Sequence, residues 1–191
     1  SSHQTNQLKT QQLKSMYSSE SYAAMYEKKP LTRLMNLVKF MNLMCGHKVV
    51  DFACGNALLL EIIKDSVSSY TGVDYSRSLI NAANKRKERL HADNAEFICG
   101  DIVKFCDSNP NTFDIAFAMD LSEHILDAEW VEILLGIKKT LKKNGVLYIH
   151  TPNGKFFLEK MKSQGFFVKQ LPGHIAIRSP DENERMLKAG G

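Results

Sequence analysis

Asp51, Asp74, Asp101 and Asp120 each stand at the carboxyl end of an apolar run, in VVDF, YTGVD, AEFICGD and FDIAFAMD. An ionised carboxylate offers only acceptor oxygens, so it suits a partner with donors to give: the two hydroxyls of a ribose, the amino group of a base, a cationic amine. Asp51 runs into a turn of small residues, Ala53-Cys54-Gly55-Asn56-Ala57, and then into Leu58, Leu59, Leu60, Ile62 and Ile63. Small residues let the backbone approach a bound molecule closely, and the helix that follows aims its first amides at the same spot. Asp74 lies roughly twenty residues beyond Asp51, the interval at which an acid after the second strand meets a ribose. Asp101 suits an adenine amino group, with Ile102 covering the ring, and Asp51 suits an amine, directly or through water. These partners together describe a nucleoside joined to an amino acid.

Four strand-end acids can converge only if their strands run in parallel. The pattern supports this, with strands expected at 48–54, 69–74, 95–99, 113–119 and 145–150 and helices at 57–65, 77–90 and 128–143. Such alternation indicates right-handed βαβ units. The predicted fold class is α/β: a Rossmann-like, doubly wound, mostly parallel sheet in a three-layer sandwich with helices on both faces. Ligands of such sheets lie outside the carboxyl ends of the strands, where the strand order reverses. Ser76 is placed to cap the second helix and Asp127 the third, which should stop at Asn144-Gly145. Pro30 opens a further helix whose stripe of Leu31, Leu34, Met35, Val38 and Met41 reads as core. The chain divides into an N-terminal helical segment, 1–45, and a ligand-binding domain, 46–191.

Composition narrows the function further. Of 191 residues 43% are hydrophobic and 24% charged, which fits one globular domain and argues against disorder. The formal charge of +4 is concentrated in NKRKER and KKTLKK. Both lie within helical patterns and read as solvated faces, so no nucleic-acid partner is expected. Cys45, Cys54, Cys99 and Cys106 form no CxxC pair or zinc spacing, which predicts reduced thiols and a cytoplasmic setting. No apolar run is long enough to span a membrane.

The turn after Asp51 also weighs against a nicotinamide dinucleotide. That site needs G-x-G-x-x-G to seat a pyrophosphate on the helix N-terminus. Counting from Ala53, the last of those positions is Leu58, and Asp51 beside the turn would repel the phosphates.

From about Val49 onward the chain resembles the class I S-adenosylmethionine-dependent methyltransferases. VVDFACGNA is similar to their glycine-loop motif, GVDYS to their ribose motif, CGDI to their adenine motif, FDIAFAMDLSEHI to their fourth strand and following loop, and LKKNGVLYIHTPN to their fifth-strand region. Of the usual three glycines only Gly55 is kept, with Ala53 and Ala57 at neighbouring small positions. Alanine still permits close approach where φ is negative, so binding is expected to survive. The resemblance implies S-adenosyl-L-methionine as cofactor, held by Asp51, Ala53, Cys54, Gly55, Asp74, Tyr75, Asp101, Ile102, Met119 and Asp120. It implies methyl transfer to a small-molecule acceptor, at oxygen. A noncatalytic cofactor-binding or scaffold subunit is the alternative from another class.

A sulfonium donor is already activated, so the enzyme must align the acceptor, exclude water and remove a proton. His124, in Met119-Asp120-Leu121-Ser122-Glu123-His124, is the candidate base. Glu123 and His124 can equally serve to fix the loop and line the pocket. The spacing of Asp120, Glu123 and His124 is similar to that of ubiquinone-pathway O-methyltransferases and small-RNA 2′-O-methyltransferases. There the resemblance implies a divalent metal on two vicinal oxygens, though Asp120 stands where those families usually have Glu; His174 in LPGHIAIRSP is a further candidate ligand, and whether a metal is used stays open. In similar enzymes an N-terminal helical segment closes over the cofactor, a place for Tyr17, Tyr22 and Tyr26. At the other end, FFVKQLPGHIAIRS reads either as a hairpin turning at Pro172-Gly173 or as lead-in to a final helix, SPDENERMLKAGG. The second reading is preferred, and it leaves the last strand pair missing and a sheet edge exposed.

Overall fold

The computed structural model describes residues 31–119, 121, 127–150, 167–171 and 174–178. Apolar runs such as KVVDF and FDIAFA, too continuous for a half-exposed sheet, form strands buried on both faces. In chain order the elements are α1 (Leu31–Val38), β1 (Lys48–Phe52), α2 (Leu58–Ile63), a 3-10 turn (Lys64–Ser66), β2 (Ser69–Asp74), α3 (Arg77–Leu90), β3 (Ala95–Cys99), α4 (Ile102–Ser108), β4 (Phe113–Ala118), α5 (Asp127–Thr140), β5 (Leu141–Ile149), β6 (Phe167–Leu171) and β7 (His174–Arg178). They build one sheet of order β3-β2-β1-β4-β5-β7-β6. The first five strands in that order pair in parallel. β7 runs antiparallel to β5 and to β6.

Period-two alternation sorts the side chains into two cores. Val50, Phe52, Ala116, Ala118, Leu147 and Ile149 pack with Phe105, Cys106 and Ile137 on the face covered by α4 and α5. Val49, Ile115, Phe117 and Tyr148 pack with Leu37, Leu60, Ile63 and Ala83 on the face covered by α1, α2 and α3. Each fully buried Phe or Ile contributes about 1.5–3 kcal/mol by leaving water. α5 approaches α4 closely because Gly136 presents no side chain where Cys106 lies: an added Cβ would stand 3.4 Å from that of Cys106.

The sheet meets the sequence expectation, and β2, α3 and β3 begin and end where it put them. Ser76 caps α3, accepting from the Leu79 amide at 3.3 Å. Other expectations are corrected. Met35 is exposed, and α1 faces the core with Leu34, Leu37 and Val38, of which Leu37 is buried and the others half-buried, followed by the buried Met41 just past the helix end. α5 starts on Asp127 rather than after it and ends at Thr140, short of Asn144-Gly145. Leu141 already pairs with Phe113, and the ladder shifts register before Ile115 and Val146. Asn144, at φ 63°, and Gly145 make a bend inside β5, where an added Cβ on Gly145 would meet the Lys142 carbonyl at 2.8 Å. The strand pair expected to be missing is present. β6 and β7 form the hairpin, with Leu171 opposite His174, and β7 covers the edge of β5.

Candidate functional site

The carboxyl ends of β1, β2 and β3 are stitched together by hydrogen bonds that begin at Asp74. Its Oδ2 accepts the Gly55 amide at 3.0 Å and its Oδ1 the Ser76 amide at 2.8 Å. One carboxylate therefore ties the small-residue turn after β1 to the start of α3. The Cys54 amide donates to the Val73 carbonyl at 3.2 Å, and the Gly100 amide to the Asp74 carbonyl at 2.9 Å. Burial pushes the Asp74 carboxyl above the usual carboxylate range, against the amides of Ser76, Gly55 and Tyr75, which pull it down. A carboxylate has about four acceptor sites. With three amides drawing on it, about one such site is left to accept from a ribose.

The turn itself is left-handed at alternate residues: Ala53 at φ 54°, Gly55 at φ 57° and Ala57 at φ 59°. Glycine takes this conformation freely, whereas an L-residue in it costs roughly 1–2 kcal/mol. The expectation of negative φ at the two alanines is thus corrected. Two strained residues flank the one glycine, and the energy that holds them must come from their surroundings. Asn56 lies between them, fully buried, and neither polar atom of its side-chain amide has a partner among the described residues.

Asp51 is buried, and its Oδ2 accepts the Tyr70 hydroxyl at 2.5 Å. The amine-binding role expected of it thus falls on a carboxylate already engaged from the neighbouring strand. Beside it the Cys54 thiol is pushed well up by burial, then by the charges of Asp51 and Asp74, so it is a protonated packing group and no nucleophile. Gly72, opposite Asp51 in the ladder, is required sterically: a Cβ there would lie 2.5 Å from the Phe97 ring and 2.8 Å from the Cys54 sulfur.

Asp101 is exposed and caps α4, accepting the Lys104 amide at 3.0 Å. Base recognition by Asp101 would share that carboxylate with the cap. Ile102 is half-buried behind it, and Tyr75 is 39% exposed, offering its ring to solvent at the end of β2. Met119 is buried just past β4. Asp120, Glu123 and His124 lie outside the described residues, as do Tyr17, Tyr22 and Tyr26. Among the described residues no cluster of His, Cys, Asp and Glu is arranged to hold a metal ion, and no helix is long and apolar enough to cross a membrane.

Two contributors went unnoticed in the sequence. Arg86 of α3 donates from Nε to the Asn56 carbonyl at 2.9 Å and pairs through Nη1 with Glu61. It sits inside NKRKER, read above as a solvated face, but the buried positions Leu79, Ile80 and Ala83 place Arg86 one turn further along the buried side of α3. At the far end of the rim, Arg33 of α1 contacts Nε2 of His150, the residue after β5. This brings α1 to the carboxyl side of the sheet.

Residues 43–191 match the methyltransferase-domain family. The ubiquinone biosynthesis O-methyltransferase of Coxiella burnetii (strain RSA 493 / Nine Mile phase I) is 32% identical over 152 residues, covering 76% of this chain and 63% of that protein. Its counterpart from Neisseria meningitidis is 23% identical, over 68% of this chain and 55% of the relative. The chain thus spans less than two thirds of the length of these relatives. Among solved structures, a SAM-dependent methyltransferase from Aquifex aeolicus superposes with a TM-score of 0.64 at 16% identity, over 84% of this chain and 97% of the other. Haemonchus contortus phosphoethanolamine N-methyltransferase 1, in complex with phosphoethanolamine and S-adenosylhomocysteine, gives 0.62 at 17% identity, over 75% of this chain and 32% of the other. At these identities the structural likeness is one of fold.

Proposed function

The chain belongs to the methyltransferase-domain family, and from that premise we propose that it binds S-adenosyl-L-methionine and transfers its methyl group to a small-molecule acceptor, at oxygen. The observation that carries this reading is the Asp74 carboxylate, buried between the Gly55 and Ser76 amides at the end of β2. A ribose on that rim would find an acceptor already fixed in place. The unsatisfied amide of Asn56 agrees: a buried donor and acceptor left unmade cost about 1–3 kcal/mol, and a polar ligand over the turn would relieve it.

In this reading Asp74 holds the ribose hydroxyls, while the backbone of Ala53, Cys54 and Gly55 lies against the amino-acid moiety, whose amine Asp51 attracts through space or water. Asp101, Ile102 and Tyr75 face the base, and Met119 and Asp120 close the site beyond β4. The bound cofactor would supply an activated methyl on a sulfonium. The chain's own work is to align the acceptor oxygen, exclude water and take the hydroxyl proton, which we assign to His124. Methylation at oxygen draws on the name borne by the Coxiella relative, and the acceptor is otherwise undefined.

Calorimetry with S-adenosylhomocysteine tests the cofactor, and turnover on catechol-like and other hydroxylated acceptors tests the reaction. Saturable binding of the nucleoside is expected. Tight NAD binding without a response to S-adenosylhomocysteine would sink the reading, and cofactor binding without turnover on any acceptor would favour a noncatalytic subunit.

A further inference from the structure

We propose that Arg86 is a positioning residue, whose hydrogen bond to the Asn56 carbonyl holds the left-handed turn 53–57 in the shape that receives the cofactor. The inference rests on the cofactor reading above and extends it to a residue outside the set assigned to the cofactor.

The turn needs holding. Ala53 and Ala57 are both left-handed, at φ 54° and 59°, so an unsupported backbone would relax away from this conformation. Its first half is secured from β2, through the Cys54 amide to the Val73 carbonyl and the Gly55 amide to the Asp74 carboxylate. Its second half carries the buried Asn56, whose side-chain carboxamide makes no hydrogen bond among the described residues. Within the turn that half is closed by the Ala57 amide on the Cys54 carbonyl at 3.0 Å, and its side-chain tie to α3 is the guanidinium of Arg86, which reaches the Asn56 carbonyl at 2.9 Å. The Arg86 side chain is only 12% exposed, where a charge-assisted hydrogen bond is stronger than in water. Glu61, in the first turn of α2, fixes the guanidinium in turn and also binds Arg89 at 3.0 Å. The turn, α2 and α3 are therefore joined through one planar fork. Lysine could keep the charge beside Glu61 but has no second rigid donor for the carbonyl.

The test compares wild type, R86K, and R86K combined with A53G and A57G. Two readouts are taken: amide hydrogen exchange across 53–57 without ligand, and S-adenosylhomocysteine affinity by calorimetry well below the melting temperature. R86K should speed exchange in the turn and weaken the nucleoside about tenfold, the scale of a hydrogen bond to a charged group. The added glycines should recover most of that affinity, because glycine takes the left-handed conformation without strain. Wild-type exchange and affinity in R86K would overturn the proposal, as would a melting-temperature loss with affinity unchanged, or no recovery on adding glycine. If the wild type binds no S-adenosylhomocysteine the cofactor reading fails, and exchange in the turn still decides whether Arg86 holds it: faster in R86K supports the clamp, unchanged refutes it.

Discussion

Tyr70 and Asp51 meet inside the sheet, the phenol of β2 donating to the carboxylate of β1 at 2.5 Å. Burial, and then the charge of Asp51, push the Tyr70 phenol well above its ordinary pKa, so it remains a protonated donor. The pair satisfies an acid that would otherwise be costly to place there. Tyr70→Phe should therefore lower stability by about 1–3 kcal/mol, the cost of leaving a buried acceptor short of a donor. Denaturant unfolding of the variant measures this. No change in midpoint would mean that Asp51 is adequately satisfied by other groups.

Asp74 sets a pH dependence of its own. Its folded pKa is raised by burial, so this group favours the folded state most below its unfolded value, and that contribution is lost as pH rises through the folded value. Ligand binding runs the other way, because ribose donors require the ionised form. S-adenosylhomocysteine affinity should fall as pH is lowered through the raised Asp74 value, above the range of an ordinary carboxylate. Asp74→Asn should flatten that slope, and Asp74→Ala should weaken binding by roughly 1–3 kcal/mol. Calorimetry across mildly acid to neutral pH reads both, and an unaltered slope in Asp74→Asn would assign the dependence to another group.

Gly72 is predicted to resist any side chain. An added Cβ would press on the Phe97 ring at 2.5 Å and the Cys54 sulfur at 2.8 Å. Gly72→Ala should cost about 1–3 kcal/mol as overpacking. Combining it with Phe97→Leu should recover part of the loss in thermal unfolding. Additive losses would show that the sulfur, or the backbone, is the obstacle.

How much of this was legible follows from what each residue type announces. The places of Asp74 at the end of a strand and of Gly55 in the turn after β1 are legible directly, from the acid that closes an apolar run and the glycine among small residues. Asp101 was equally visible but was assigned to ligand alone; its second task, capping, came with the short α4, which seven residues of mixed polarity did not signal. Lys142 and Lys143 favour helix and drew α5 too far, whereas β4 recruits Leu141 through long-range pairing that no local pattern contains. The conformation of Ala53 and Ala57 was illegible for a plain reason: alanine normally avoids positive φ, and only their surroundings impose it. The hairpin of β6 and β7 is legible in its alternation and in Pro172-Gly173, but the polar SPDENERMLKAGG after it favours the reading of a final helix.

The loop after β4 carries the chemical prediction. If His124 removes the acceptor proton, His124→Ala should lower the maximal rate by roughly a hundredfold while leaving cofactor affinity nearly intact. An equal loss of affinity would make it a pocket-lining residue. Chelator is expected to leave turnover unchanged; abolition by chelator and restoration by magnesium would instead place a cation at Asp120, Glu123 and His124.

The strand order that opens a crevice between β1 and β4 also shapes how the chain comes together. β1 can find β2 across a short crossover, Lys48 aligning with Ser69. Its other flank waits for β4, where the Lys48 amide meets the Asp114 carboxylate at 2.8 Å from 66 positions away. Closing the longer loop costs about 1 kcal/mol more entropy, since each doubling of length adds about 0.6. The half of the sheet bearing the Asp74 stitching can thus form from nearby segments, while the carboxyl end of β4 is positioned only once the distant contact is made.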